Sequence, residues 1–87
     1  MSDVSGYSEI ANEQLDEIEG SGDANLYNDI CVLCEFVLDH PAQAQSLSSA
    51  LTTKDGICFR LPVPGHHPYK VFWTSGGPRI EAVFPYQ

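Results

Sequence analysis

Lysine and arginine are missing from the first 53 residues of this chain, which hold ten Asp and Glu; all four cations, Lys54, Arg60, Lys70 and Arg79, lie between 54 and 79. The first segment therefore has a net charge of −10 and residues 54–87, with two acids, a net +2. Such an anionic half repels phosphate, so chemistry on an anionic substrate has to use the second half. No apolar run approaches the ~18 residues of a membrane span. The amino-terminal text, Met-Ser-Asp-Val-Ser-Gly, has neither the cationic nor the apolar region of a secretory signal, and the expected location is cytoplasmic. Cysteine is scarce and odd in number, three in all, which argues against a complete disulfide framework and agrees with a reducing compartment. Internal repeats and low-complexity tracts are absent, and nothing calls for a small-molecule cofactor.

What remains is the composition of one globular domain, 43% hydrophobic with 18% charged residues. A chain of 87 residues buries only about 60–65% of its unfolded surface, so the core is thin. Residues 1–7 are expected to be loose, or to give a strand stub through Val4 and Tyr7. Ser8 reads as an N-cap, and Ile10, Ala11, Leu15 and Ile18 place a first helix over 8–19. Gly20-Ser21-Gly22-Asp23 reverses the chain. Leu26, Ile30, Leu33 and Val37, with an adjoining stripe of Tyr27, Cys31, Cys34 and Leu38, predict a second helix over 24–39, ended by His40 before Pro41. Ala44, Leu47 and Leu51 predict a further short helix over 42–51, making 8–53 helical.

From residue 55 the period changes to two. Ile57, Phe59 and Leu61 predict one strand, Tyr69, Val71 and Trp73 a second, and Ile80, Ala82 and Phe84 a third. Ser75-Gly76-Gly77-Pro78 is a hairpin turn, and Pro62 to Pro68 a longer, stiffer loop. The fold class is α+β: an amino-terminal helical hairpin packed on one face of a three-stranded antiparallel meander spanning 55–86, with the other face free to meet a partner.

Several groups are candidates for chemistry. Cys31-x-x-Cys34, with Cys58, His40, His66 and His67, invites a zinc reading, but the second ligand pair is missing and both cysteines sit in an apolar helical stripe, so buried small hydrophobes account for them better. His66-His67 in its loop offers a general base or simply a solvated pair. Arg60, Lys70 and Arg79 occupy the expected solvent side of the sheet, where they cluster on one patch or pair with Glu81 and the helical acids. Of the five aromatics Tyr69, Phe72, Trp73, Phe84 and Tyr86, most are expected in the core; Tyr86, after Pro85, can reach the open face.

The order of elements, Phe59-Arg60, the Pro/Gly loop, Pro68-Tyr69-Lys70-Val71-Phe72-Trp73, a tight turn and Arg79-Ile80-Glu81-Ala82-Val83-Phe84 resemble the RelE/ParE toxins of type II toxin-antitoxin systems. Ala11-x-x-x-Leu15-x-x-Ile18 and His40-Pro41-Ala42-Gln43-Ala44 resemble their helical segments, so the likeness covers about residues 7–86. The resemblance implies a toxin that is normally covered by an antitoxin and acts on ribosome-bound mRNA or on DNA gyrase. RelE-type members cleave mRNA by activating a ribose 2′-hydroxyl against the adjacent phosphate; ParE-type members poison gyrase without nuclease activity. By position, Arg60 is the implied phosphate clamp, Lys70 stands where the family has arginine, Arg79 is a second cation, and Tyr86 the acid/base or stacking residue. Lys at 70 loses bidentate geometry, the chain is acidic where ribosome-directed members are basic, and the strand before the hairpin is shortened unless Val4 to Tyr7 supplies it. A second reading of the same fold is a non-enzymatic acidic interaction module, of phage or mobile-element type, that meets a basic partner through Glu9, Glu13, Asp16, Glu17 and Glu19. A metal-binding protein built on Cys31 and Cys34 is a third.

Overall fold

A computed structural model describes residues 6–54 and 56–86. Helices α1 (Glu9–Gly20), α2 (Ala24–Asp39) and α3 (Pro41–Leu47) precede strands β1 (Ser49–Thr53), β2 (Gly56–Pro62), β3 (Tyr69–Thr74) and β4 (Arg79–Pro85). The strands form one antiparallel sheet in the order β1-β2-β3-β4. The α+β class and the meander of β2 to β4 are as expected from the sequence. Two expectations need correction: the helix predicted to Leu51 stops at Leu47, and the sheet has four strands rather than three because Ser49–Thr53 pairs with β2, from Ser49 opposite Arg60 to Thr53 opposite Gly56. Leu47 is 65% exposed, so the apparent stripe of Ala44, Leu47 and Leu51 is no buried face.

Capping sets where the helices begin. The Ser8 hydroxyl accepts the Ala11 N–H at 3.0 Å and donates to the Glu81 carbonyl at 2.7 Å, so one side chain both starts α1 and ties it to β4. Asp23 does the first job for α2, accepting the Leu26 N–H at 3.1 Å. His40 closes α2, and Pro41 opens α3 at a position where its missing N–H has no helical partner to lose.

The core lies between the helices and one sheet face. Ala11, Leu15 and Ile18 of α1 and Leu26, Ile30, Cys34 and Val37 of α2 pack with Ala44 against Phe59, Leu61, Val71, Trp73, Ile80 and Val83. Trp73 is fully buried, and its indole N–H donates to the Ser48 hydroxyl at 3.1 Å, so the largest core side chain has no orphaned polar atom. Val63, in the loop after β2, is buried as well and anchors that loop on the helical side.

β4 is irregular. Trp73 pairs with Ile80 but Phe72 with Ala82, so Glu81 is an extra residue and the strand changes phase there. Ile80 and Val83 therefore face the core, and Phe84, expected inside from a strict period of two, faces the other way. The outer edge of β4 is occupied: the Ile80 N–H donates to the Gly6 carbonyl at 2.7 Å, the Ser8 N–H to the Ile80 carbonyl at 2.9 Å, and the Val83 N–H to Gln14 Oε1 at 2.6 Å. Tyr7 forms a single parallel bridge with Ile80, which is all of the expected amino-terminal strand that falls among the described residues; Val4 lies outside them.

Candidate functional site

Because Phe59, Leu61, Val71 and Trp73 point into the core, alternation puts Cys58, Arg60, Lys70, Phe72 and Thr74 on the opposite, uncovered face. The bulge adds Ala82 and Phe84 from β4, and Tyr86 follows. Phe72 and Phe84 stack with ring centroids 4.8 Å apart and planes 11° from parallel. Tyr86 stands edge-on to both, at 5.5 Å from Phe72 and 6.1 Å from Phe84. Phe72 is only 8% exposed although it lies outside the main core, so the three rings make a second, small apolar cluster on the open face. Sequence reasoning expected most of the five aromatics in the core, Phe84 among them by strict alternation with Ile80 and Ala82. The alternation already placed Phe72 out of step with Val71 and Trp73, but only the bulge reveals Phe84.

The structure brings three of the four predicted residues together. The Arg60 guanidinium carbon lies 5.5 Å from the centre of the Tyr86 ring, within cation–π range. Lys70 Nζ donates to the Tyr86 carbonyl at 2.9 Å and reaches the Pro68 carbonyl at 3.4 Å, while the Tyr86 N–H donates to the Pro68 carbonyl at 2.9 Å. Lys70 thus fixes the backbone of Tyr86, and Arg60 and the phenylalanines fix its ring. Tyr86 as a whole residue remains 40% exposed.

Arg79 is not part of this group. Its Nε and Nη2 donate to the two Glu81 carboxylate oxygens at 2.9 and 3.0 Å, and Thr74 donates a third hydrogen bond to Glu81 at 3.1 Å. The fork-to-fork bond with Glu81 also raises the Arg79 pKa above its ordinary value. As a second cation for an anionic ligand, Arg79 is corrected to a neutralised pair, the alternative that the sequence already allowed. This pair, with Thr53, Gly56, Ile57, Cys58 and Thr74, lines a trough of about 530 Å³ at its end of the sheet.

Apart from Cys58, which lies on the open face, the other candidates are on the helical side. His66 Nε2 is 2.7 Å from Asp29 Oδ2 on α2, so this ring is held away from the Arg60–Tyr86 group, and His67 is exposed beside it. Cys34 is fully buried against Tyr7, and burial pushes its thiol up to about 12, well outside the range of a reactive thiolate. Burial likewise raises the Tyr7 phenol, and a hydrogen bond with Cys31 raises that of Tyr27. Among the described residues no group of three or more His, Cys, Asp and Glu is placed to hold a metal ion, and no helix is long and apolar enough to cross a membrane. No protein-family model, curated protein or solved structure matches this chain at a significant level.

Proposed function

We propose that the chain is a RelE/ParE-like toxin component that engages its target, ribosome-bound mRNA or DNA gyrase, through the open sheet face, and that an antitoxin covers that face in the resting pair. The observation that carries this reading is the convergence of Arg60, Lys70 and Tyr86 on one uncovered surface, opposite the anionic helices. Arg60 is a planar donor for a phosphate or a carboxylate, Tyr86, 40% exposed, supplies a phenol for stacking or proton transfer, and Lys70 acts through Tyr86 by holding its backbone. Induced expression is expected to arrest growth, and Arg60→Ala and Tyr86→Ala are each expected to relieve the arrest. Arrest that ignores both substitutions removes this face from the mechanism. Ribosome-dependent mRNA cuts point to one target, and gyrase-dependent DNA damage to the other.

A second reading is supported by the Arg79–Glu81 pair, which takes one cation out of the face, and by nine carboxylates without a Lys or Arg between Glu9 and Leu47. On this reading the chain is a non-enzymatic acidic module that binds a basic protein through α1. Expression then leaves growth unchanged, and binding to the basic protein weakens with salt and with charge reversal at Glu13 and Glu17.

A further inference from the structure

The two edges of the sheet differ. Gly6, Ser8 and Gln14 cover β4, whereas among the described residues nothing pairs with the outer edge of β1. Such an edge is normally guarded by charge, proline or a bulge. β1 has none of these: it reads Ser-Ala-Leu-Thr-Thr and meets β2 residue for residue, from Ser49 opposite Arg60 to Thr53 opposite Gly56. The Thr53 hydroxyl donates to the Gly56 carbonyl at 2.8 Å, so that carbonyl points at β1 and the closing pair is of the hydrogen-bonded kind. By alternation Ser49 and Leu51 also bond to β2, and the N–H and C=O groups of Ala50 and Thr52 point out of the sheet.

The absence of charge selects the occupant. Around a two-fold axis between identical copies, side chains near the axis meet their own kind, so any charge there is repelled by its twin. Residues 41–53, which hold α3 and β1, have no Asp, Glu, Lys or Arg, in a chain with twelve carboxylates and four cations. A foreign strand makes no such demand, since it can carry charges opposite to those it meets. Exposed apolar side chains flank the strand: Leu47, just before it, is 65% exposed, and Ile57, opposite Thr52 on β2, is 57% exposed. The register follows from the groups on offer. The Ser48 N–H is taken by the Gln45 carbonyl at 3.1 Å and cannot extend the ladder. Antiparallel pairing with Leu51 on the axis sets Ala50 of each copy opposite Thr52 of the other and uses every outward N–H and C=O of both residues. We infer that two copies of this chain pair through β1, antiparallel about a two-fold axis at Leu51, into one continuous sheet. With the axis perpendicular to the sheet, both open faces lie on the same side, and the two Arg60–Tyr86 groups are presented together. The pairing stands independently of what that face binds.

So short a seam gives a weak dimer, and sedimentation of the full chain from about 10 μM to about 1 mM is expected to show the mass rising from monomer towards dimer. In a mixture of isotope-labelled and unlabelled chains, the Leu51 α-protons of the two copies are expected to give an intermolecular cross-peak, because facing residues of a non-hydrogen-bonded pair approach most closely. Ala50→Pro removes an outward N–H without breaking a bond to β2, and is expected to weaken the dimer about tenfold or more while the monomer keeps the circular dichroism of the parent. Leu51→Lys places like charges on the axis and is expected to weaken it as well, with partial recovery in salt. A chain that stays monomeric to about 1 mM overturns the inference, as does a dimer that ignores both substitutions or whose intermolecular cross-peaks fall on α1 or the open sheet face. A monomer whose Ala50 and Thr52 amides are protected from exchange only by an added extended Val/Thr peptide overturns it too, because the edge then takes a foreign strand.

Discussion

Cys34 illustrates how little the identity of a side chain settles without its surroundings. Half of a Cys-x-x-Cys pair, it sits with no solvent exposure against Tyr7, and burial lifts its thiol from the ordinary thiol range to about 12. In the unfolded chain the same thiol ionises at its ordinary pKa, so between that value and about 12 the unfolded state binds fewer protons than the native one. Stability from this group is therefore complete below the unfolded pKa and is lost as the pH rises through the native one, with Tyr7 adding to the loss at still higher pH. Urea unfolding at a series of alkaline pH values is expected to show a steady decline that Cys34→Ala flattens. In the native state a thiol reagent at mildly alkaline pH is expected to leave Cys34 unlabelled until the chain unfolds.

Among the elements, α1 depends most visibly on one contact that serves two purposes. Ser8→Ala removes both the cap of α1 and the bond to the Glu81 carbonyl, and is expected to cost about 1–2 kcal/mol in denaturant unfolding; Ser8→Asp, which keeps the cap acceptor but lacks the hydroxyl donor, should recover only part. Periodicity made α1, α2, β2 and β3 legible, because each buries one regular stripe, and it located β4 although the bulge breaks its alternation. β1 was hidden: in Ser49–Thr53 only Leu51 is half-buried, and Ala44, Leu47 and Leu51 recur at spacings that imitate a helix. Arg60 and Lys70 were legible from simple alternation. The aromatic support under Tyr86 was not, since the extra residue at Glu81 turns Phe84 to the open face, and a bulge has no fixed signature in sequence. The pairing of Arg79 with Glu81 was one of two outcomes that residues two apart on a strand permit.

Across the whole molecule, charge is separated by layer, with an anionic helical face and a sheet face where the cations and aromatics collect. The separation destabilises the helical layer itself. Glu9, Glu13 and Glu17 follow one another at four-residue spacing along α1, an arrangement of like charges that weakens a helix by about 0.2–0.5 kcal/mol per pair. Glu13→Lys turns both repulsions into attractions and is expected to raise the melting temperature. Added salt should raise that of the parent chain more than that of the variant, as the repulsion is screened. A gain in stability together with weaker binding to a cationic partner would show that the acidic stripe serves recognition at the expense of the fold.

The stitching of Gly6, Ser8 and Gln14 to β4 also bears on the order of assembly during translation. Helices α1 and α2 leave the ribosome long before the strand that receives Ser8 and Gln14 exists, and a nascent chain ending at Gly77 has the whole acidic layer but no Ile80 or Val83 to seal it. The phenol of Tyr86 arrives later still. The surface proposed for target binding is thus incomplete until Tyr86 has been added, because shorter products carry Arg60 and Lys70 but lack the tyrosine that both of them hold.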